Sequence, residues 1–152
     1  MKGFSFSSNS ASQTMRFAKR LSHFLKKGDV LGFVGNLGSG KTTFIKGLAK
    51  GLGFKNKINS PSFVVLKIYR KNIALYHFDL YRLKSLKDLE DIGYEDFVSD
   101  SGICVIEWAD RAKTLLPKDY LKIRIEIIGE GRRLIKLTGY GKRYRNLIKK
   151  LD

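Results

Sequence analysis

Residues 35–42 of the chain read Gly35-Asn36-Leu37-Gly38-Ser39-Gly40-Lys41-Thr42, directly after the apolar run Val30-Leu31-Gly32-Phe33-Val34. The spacing G-x-x-x-x-G-K-T is typical of a phosphate-binding loop that joins a strand to a helix. A chance glycine turn is the alternative, but the pattern predicts both flanking elements, because residues 42–49 have the composition of a helix. The sequence therefore predicts binding of a nucleoside triphosphate.

Each residue type in this loop has a separate physical task. Gly35, Gly38 and Gly40 lack a Cβ atom, so the main chain can take positive φ and approach the phosphates. Lys41 brings a positive charge to the β- and γ-phosphates, and Thr42 offers its hydroxyl to Mg²⁺. The amides at the start of the helix also face the anion. The predicted nucleotide-binding residues here are Asn36, Leu37, Gly38, Ser39, Gly40, Lys41, Thr42 and Thr43.

Two carboxylates stand at the ends of predicted strands. Glu107 directly follows the apolar run Ile103-Cys104-Val105-Ile106, and Asp79 ends the run 73–79. Hydrolysis needs a held Mg²⁺ and a group that orients the attacking water. We expect Glu107 to support the metal and Asp79 to place water or a supporting hydrogen bond. For either residue alone, a surface acid at a strand end is the alternative.

Ser62 lies in the connection after the loop helix, within Asn59-Ser60-Pro61-Ser62. Switch segments of nucleotide hydrolases occupy such connections, so the Ser62 hydroxyl is a candidate ligand of Mg²⁺ or of the γ-phosphate. An ordinary proline turn explains the same residues equally well.

The chain is strongly basic. Its 152 residues include 30 Lys and Arg against 14 Asp and Glu, a formal net charge of +16. Such an excess indicates a polyanionic neighbour or an acidic partner surface, and the basic residues thicken towards the end of the chain. A lysine-rich composition with solvated charge is the alternative. The standard signatures of RNA-binding modules are missing from the sequence.

Length and apolar patterning set further bounds. A chain of 152 residues is expected to form a single domain over residues 1–152. The first residues lack the apolar segment of a secretory signal, and no apolar run approaches the roughly 20 residues that span a bilayer. We therefore expect a cytoplasmic protein without a membrane segment. The single cysteine, Cys104, is interpreted as a small buried side chain.

The order of predicted elements favours an α/β fold of the P-loop NTPase type. A strand over 3–8 precedes a helix that begins near Ser10, and the strand, loop and helix of residues 30–53 follow. Residues 62–79 predict an antiparallel hairpin, 86–98 a helix, 103–106 a central strand, and 120–138 a second antiparallel pair before a basic helix. We expect a mixed sheet with a parallel core, antiparallel edge strands at one edge, and helices on both faces.

Four motifs together resemble the TsaE family. They are G-N-L-G-S-G-K-T-T at 35–43, S-P-S-F at 60–63, H-F-D-L-Y-R at 77–82 and E-W at 107–108. The resemblance spans about residues 10–133. It implies a small bacterial ATPase with a P-loop fold that serves threonylcarbamoyladenosine synthesis on tRNA. The implied partners are the related subunits TsaB and TsaD, of which TsaD transfers the threonylcarbamoyl group; tRNA is a further partner, met directly or through the complex.

The same resemblance implies roles for individual residues. Lys41 binds phosphate, Thr42 and Glu107 hold Mg²⁺, and Asp79 supports hydrolysis. Trp108 flanks the nucleotide, and Arg132 resembles a family arginine near it. The implied cofactors are ATP and Mg²⁺, and the implied catalytic residues are Lys41, Asp79 and Glu107. One departure is Ser62, where the family commonly has threonine, so the hydroxyl is kept and the methyl group is lost.

Two alternative functions remain open from sequence. Nucleotide and shikimate-type kinases also begin with a loop of this form, but the region after the loop reads as a hairpin rather than as an arginine-rich lid. The second alternative is a basic RNA-binding module that is not an enzyme and uses nucleotide only for folding. For the ATPase we expect slow hydrolysis in isolation, because partners complete the site.

Overall fold

The computed structural model has an α/β architecture and describes residues 2–55, 58, 65–99 and 101–152. The strands in these residues are β1 (Lys2–Ser8), β2 (Val30–Val34), β3 (Leu66–Arg70), β4 (Ala74–Asp79), β5 (Ile103–Glu107), β6 (Tyr120–Gly129) and β7 (Arg132–Tyr140). The helices are α1 (Ala11–Ser22), α2 (Lys41–Gly51), α3 (Leu86–Asp91), α4 (Tyr94–Val98) and α5 (Lys142–Lys149), with a 3-10 helix at Ala109–Leu115.

All strands of the described residues join one sheet in the order β1-β7-β6-β2-β5-β4-β3. The four central strands β6, β2, β5 and β4 run parallel, while β7, β1 and β3 pair antiparallel to their neighbours. The predicted parallel core with antiparallel edge strands is therefore confirmed. Our expectation that the antiparallel strands lie at one edge is wrong. They lie at both edges, because β4 joins β5 and carries β3 outward, while β6 joins β2 and carries β7 and β1 to the other side.

Helices cover the sheet on both faces, as predicted. Side chains alternate between the faces of each strand, which gives two buried clusters. One cluster packs α1, α2 and α5 against the sheet through residues such as Phe17, Phe44 and Leu147. The other packs α3, α4 and the 3-10 helix against the opposite face through Leu89 and Tyr94. In β4 and β5, every second side chain therefore faces the cluster that contains α2. The site residues of these two strands lie at such positions.

Local signals account for the helix boundaries with one correction. Ser10 caps α1, where its side chain accepts a hydrogen bond from the Gln13 amide at 3.1 Å. The predicted helix over 86–98 is interrupted: α3 and α4 meet at Gly93, whose φ of 78° is left-handed and ends a helix. Cys104 is buried as predicted, and burial raises the pKa of its thiol.

The helices of the described residues do not combine the length and apolar character that a bilayer crossing requires.

Candidate nucleotide-binding site

The predicted phosphate loop connects the end of β2 to the first residue of α2. Gly38 and Gly40 have φ values of 79° and 107°, in the left-handed region that glycine tolerates. A Cβ atom on Gly35 would lie 2.5 Å from the carbonyl oxygen of Ile125, so only glycine fits there. The Ser39 amide donates to the Asn36 carbonyl at 3.0 Å and closes the turn. The loop is therefore held compact at the N-terminus of α2, where unpaired amides favour an anion.

Lys41 is the buried cation of the loop. Its side chain is almost fully enclosed, and Nζ donates to the carbonyl oxygens of Gly35 at 2.7 Å and Asn36 at 3.0 Å. Burial lowers the pKa of Lys41, while the nearby negative charges of Glu107, Asp79 and Asp110 act in the opposite direction. The ammonium group thus sits at the mouth of the loop with acids on its other side.

Thr42 and Glu107 meet directly. The Thr42 hydroxyl donates to Oε1 of Glu107 at 3.0 Å, which links the first turn of α2 to the end of β5. The second carboxylate oxygen, Oε2, lies 2.7 Å from Nε2 of His77 on β4. Glu107 and His77 are both buried, and Nδ1 of His77 has no hydrogen-bond partner among the described residues. His77 therefore fixes the position of the carboxylate, and Glu107 in turn fixes the Thr42 hydroxyl.

Asp79 lies beside Glu107 at the carboxyl end of the parallel core. The two residues are Cα partners in the register of β4 and β5. Oδ1 of Asp79 accepts a hydrogen bond from the Tyr81 amide at 3.0 Å, and the side chain is half-buried. Asp79 thus lies near enough to Lys41 for its negative charge to raise the pKa of that lysine.

Trp108 covers the cation. Its ring lies 4.2 Å from Nζ of Lys41, a distance at which the negative face of the ring attracts a positive charge. Trp108 has a φ of 59° and is the only non-glycine residue with positive φ in the described part of the chain. A left-handed residue of this size is strained by about 1–3 kcal/mol, and such strain clusters at functional sites. The turn of the chain from β5 into the 3-10 helix aims the ring at the loop.

The remaining predicted residues fall into four groups. Asn36, Leu37 and Gly38 are exposed at the loop tip, and Leu37 is 70% exposed. Ser39 is buried beneath the loop, and Thr43 is half-buried in the first turn of α2. Arg132 is exposed at the start of β7 and stays a prediction. Ser62 lies outside the described residues.

The residue that contacts the loop from β7 is Arg133, which we did not predict. Its Nε donates to the Ser39 carbonyl at 2.8 Å and its Nη2 to the Gly38 carbonyl at 3.3 Å. A signal for it exists in the sequence. Ile135 and Leu137 are buried against α1, α2 and α5. Strand alternation therefore places Arg133, and not Arg132, on the loop side of the sheet. His77 was also missed. The signal for it is again strand alternation, because His77 precedes Asp79 by two residues and so lies on the same face of β4.

We expect Arg133→Ala to lower the affinity for Mg-ATP roughly five- to tenfold. The substitution removes two hydrogen bonds to loop carbonyls, and a charge-assisted bond is worth about 1.5 kcal/mol before discounting for partial exposure. Calorimetric titration measures the affinity, with Arg132→Ala as the neighbouring control. A larger loss in the Arg132 variant would show that Arg132 is the nucleotide contact.

Comparisons with known proteins agree with one another. The family model described as "Threonylcarbamoyl adenosine biosynthesis protein TsaE" matches residues 8–135. The tRNA threonylcarbamoyladenosine biosynthesis protein TsaE of Treponema pallidum is 42% identical over 131 residues, which are 86% of this chain and 97% of that protein. The protein of the same name from Bacillus subtilis is 39% identical over 153 residues, covering 100% of this chain and 96% of its own.

A solved structure extends the agreement to three dimensions. The crystal structure of Bacillus subtilis YdiB superposes with a TM-score of 0.86 at 35% sequence identity, covering 99% of this chain and 94% of that one. The predicted P-loop type of α/β fold is thereby confirmed. On the family match and the two relatives, the chain belongs to the TsaE family of proteins in tRNA threonylcarbamoyladenosine biosynthesis.

Proposed function

We propose that this chain is a Mg²⁺-dependent ATPase whose hydrolysis cycle resets a tRNA-modifying complex. The observation that carries the proposal is the 3.0 Å hydrogen bond from the Thr42 hydroxyl to Glu107 beside the buried Lys41. It joins a phosphate-binding loop to a strand-end carboxylate, which is the combination that phosphoryl transfer to water requires. The chain itself carries out no threonylcarbamoyl transfer; that step belongs to a TsaD-type partner.

The donor atoms at this point suit Mg²⁺. Thr42 and Glu107 offer a hydroxyl and a carboxylate, and Mg²⁺ prefers few protein oxygens supplemented by water and nucleotide phosphates. Thr42 and Glu107 would hold the ion. When bound, Mg²⁺ neutralises charge on the phosphate oxygens.

The protein's own residues then divide the work. Loop amides and the N-terminus of α2 bind the phosphates, and Lys41 exchanges the Gly35 and Asn36 carbonyls for phosphate oxygens. His77 holds Glu107 in place through the 2.7 Å contact. Asp79, at the same sheet edge, orients the attacking water or the group that holds it. Trp108 closes one side of the phosphate-binding site and excludes solvent from Lys41.

Partners complete the mechanism. The TsaE family acts in threonylcarbamoyladenosine synthesis, so we propose assembly with TsaB-like and TsaD-like subunits on a tRNA substrate. Among the described residues, the site opens to solvent at Tyr81, which is exposed, and at Asp79 and Trp108, which are half-buried. A subunit that covers this opening would exclude water and raise turnover.

The test compares modification of tRNA over many turnovers with ATP and with a non-hydrolysable analogue. The chain is mixed with TsaB-like and TsaD-like proteins and unmodified tRNA, and threonylcarbamoyladenosine is measured by mass spectrometry. We expect slow ATP hydrolysis by the chain alone, a rise of roughly tenfold or more with partners, and arrest after the first turnover with the analogue. Equal modification with ATP and analogue would remove hydrolysis from the mechanism.

A further inference from the structure

Charge is sorted between the helices on the two faces of the sheet. The helices α1, α2 and α5 carry ten Lys and Arg and no Asp or Glu, whereas α3, α4 and the 3-10 helix carry six acids and three Lys or Arg. The ten are Arg16, Lys19, Arg20, Lys41, Lys46, Lys50, Lys142, Arg143, Arg145 and Lys149. We call the outer surface of α1, α2 and α5 the basic face.

This sorting argues against a merely lysine-rich composition. Random enrichment in lysine would spread basic residues over both faces and leave acids among them. On the basic face, Arg16, Lys19, Arg20 and Lys50 are exposed. The nearby Asp29 is buried and paired with Arg143 at 2.7 Å, so it does not offset the exposed charge. The charged side chains of these three helices are therefore all basic, as expected for a surface that meets a polyanion.

A groove lies within the basic face. It has a volume of about 620 Å³ and is lined by four lysines, Lys19, Lys46, Lys50 and Lys55, together with apolar residues such as Met15 and Phe54. The helices α1 and α2 pack side by side, and their 12 and 11 residues make them about 16–18 Å long. The positive charges thus follow an extended strip. Both kinds of basic side chain on this strip bind phosphate: lysine as a flexible point charge, and the exposed Arg16 and Arg20 through a planar guanidinium group.

We propose that the basic face binds the phosphodiester backbone of tRNA. The inference rests on the proposed function in that the pathway of the family ends on tRNA, and it adds a direct contact and its location. An RNA strand is favoured over an acidic protein because α1, α2 and α5 contain no Asp or Glu, and their basic side chains follow an extended strip that suits a continuous phosphodiester backbone. The helix α2 begins at the phosphate loop, so bound RNA and bound nucleotide share one rigid element.

The experiment measures binding of unmodified tRNA to the intact chain, without nucleotide, by fluorescence anisotropy across a series of salt concentrations. The test variant is Lys19→Glu, Lys50→Glu and Lys55→Glu combined. The matched control is Lys84→Glu, Lys87→Glu and Lys113→Glu, which changes the net charge equally at exposed positions away from the basic face. We expect the test variant to bind tRNA at least roughly tenfold more weakly, with a salt slope smaller by about 2–3, and the control to change much less.

Two further measurements keep the outcome interpretable. A triple Lys→Gln variant at the same test positions removes charge without introducing repulsion and guards against misfolding, which circular dichroism monitors. Calorimetry with Mg-ATP reports separately on the nucleotide site, so a failure there is distinguishable from a failure of RNA binding. Equal losses in the test and control variants would overturn the proposal. So would tight binding of polyglutamate together with no measurable binding of tRNA, which would identify an acidic protein as the partner.

Discussion

Lys41→Met is expected to lower the affinity for Mg-ATP by about 100-fold or more and to remove measurable hydrolysis. Lys41 is the enclosed cation of the loop, and its Nζ already occupies donor positions beside the Gly35 and Asn36 carbonyls. Loss of two charge-assisted hydrogen bonds to phosphate, at about 1.5–3 kcal/mol each, corresponds to that factor. Methionine keeps an unbranched apolar stem beside Trp108, so the change isolates the charge. Calorimetric titration measures the affinity.

The control for this variant is Lys46→Met, which lies on the same helix but away from the loop mouth and lines the groove of the basic face. Its ATP affinity should stay within about twofold of the unchanged chain. Similar losses in both variants would mean that overall charge, and not the Lys41 ammonium, governs nucleotide binding.

The Lys41→Met substitution should leave the nucleotide-free protein as stable as the unchanged chain, or more stable. Burial lowers the pKa of Lys41, so the unfolded chain binds its proton more tightly than the folded chain does. The resulting cost is fully present below the lowered pKa, and it is relieved as the pH rises through that pKa towards the unfolded value. Thermal unfolding at pH 7 should therefore show no loss for Lys41→Met. The Lys41 charge thus lowers the stability of the nucleotide-free protein while it serves nucleotide binding.

Glu107→Gln is expected to reduce ATP hydrolysis, in the presence of partners, by about 10²–10³-fold. The amide keeps the size of the side chain but loses the charge that would hold Mg²⁺ and that receives the Thr42 hydroxyl at 3.0 Å. Removal of one preorganised group at the site of charge development has effects of this order. Binding of ATP should fall far less, because Lys41 and the loop amides remain. Steady-state hydrolysis over a range of Mg²⁺ concentrations measures the effect.

A matched control for Glu107 is Glu126→Gln on β6, an exposed acid that pairs with Lys136 at 3.3 Å. Its rate should be unchanged, since an exposed ion pair contributes little. If Glu107→Gln instead weakened ATP binding and hydrolysis by the same factor, Glu107 would be acting on the bound ground state rather than on the reaction.

The loop was predictable because every signal for it is local. Glycine spacing, a preceding apolar run and a following helix specify the segment from β2 to α2 without knowledge of distant residues. Glu107 and Asp79 were predictable as strand-end acids, since parallel strands bring their carboxyl ends to one edge. The register that makes them Cα partners confirms that these ends adjoin.

The order of strands was harder to predict because it depends on long-range packing. The sequence shows that residues 120–138 form an antiparallel pair, but nothing local tells β6 to pair in parallel with β2. That one pairing moves antiparallel strands to both edges. It also brings β7, and with it Arg133, to within hydrogen-bond distance of the loop. The role of His77 depends in the same way on the pairing of β4 with β5.

Trp108 is the only tryptophan in the sequence, and its indole lies against Lys41 in a left-handed turn. The intrinsic tryptophan emission of the chain therefore originates entirely beside the phosphate loop. We expect departure of the Lys41 ammonium from the ring to change the polarity around the indole, so that the emission spectrum would report nucleotide binding without any attached dye. Its single tryptophan would thus give an optical readout of the proposed nucleotide site, from the non-glycine residue with positive φ in the described part of the chain.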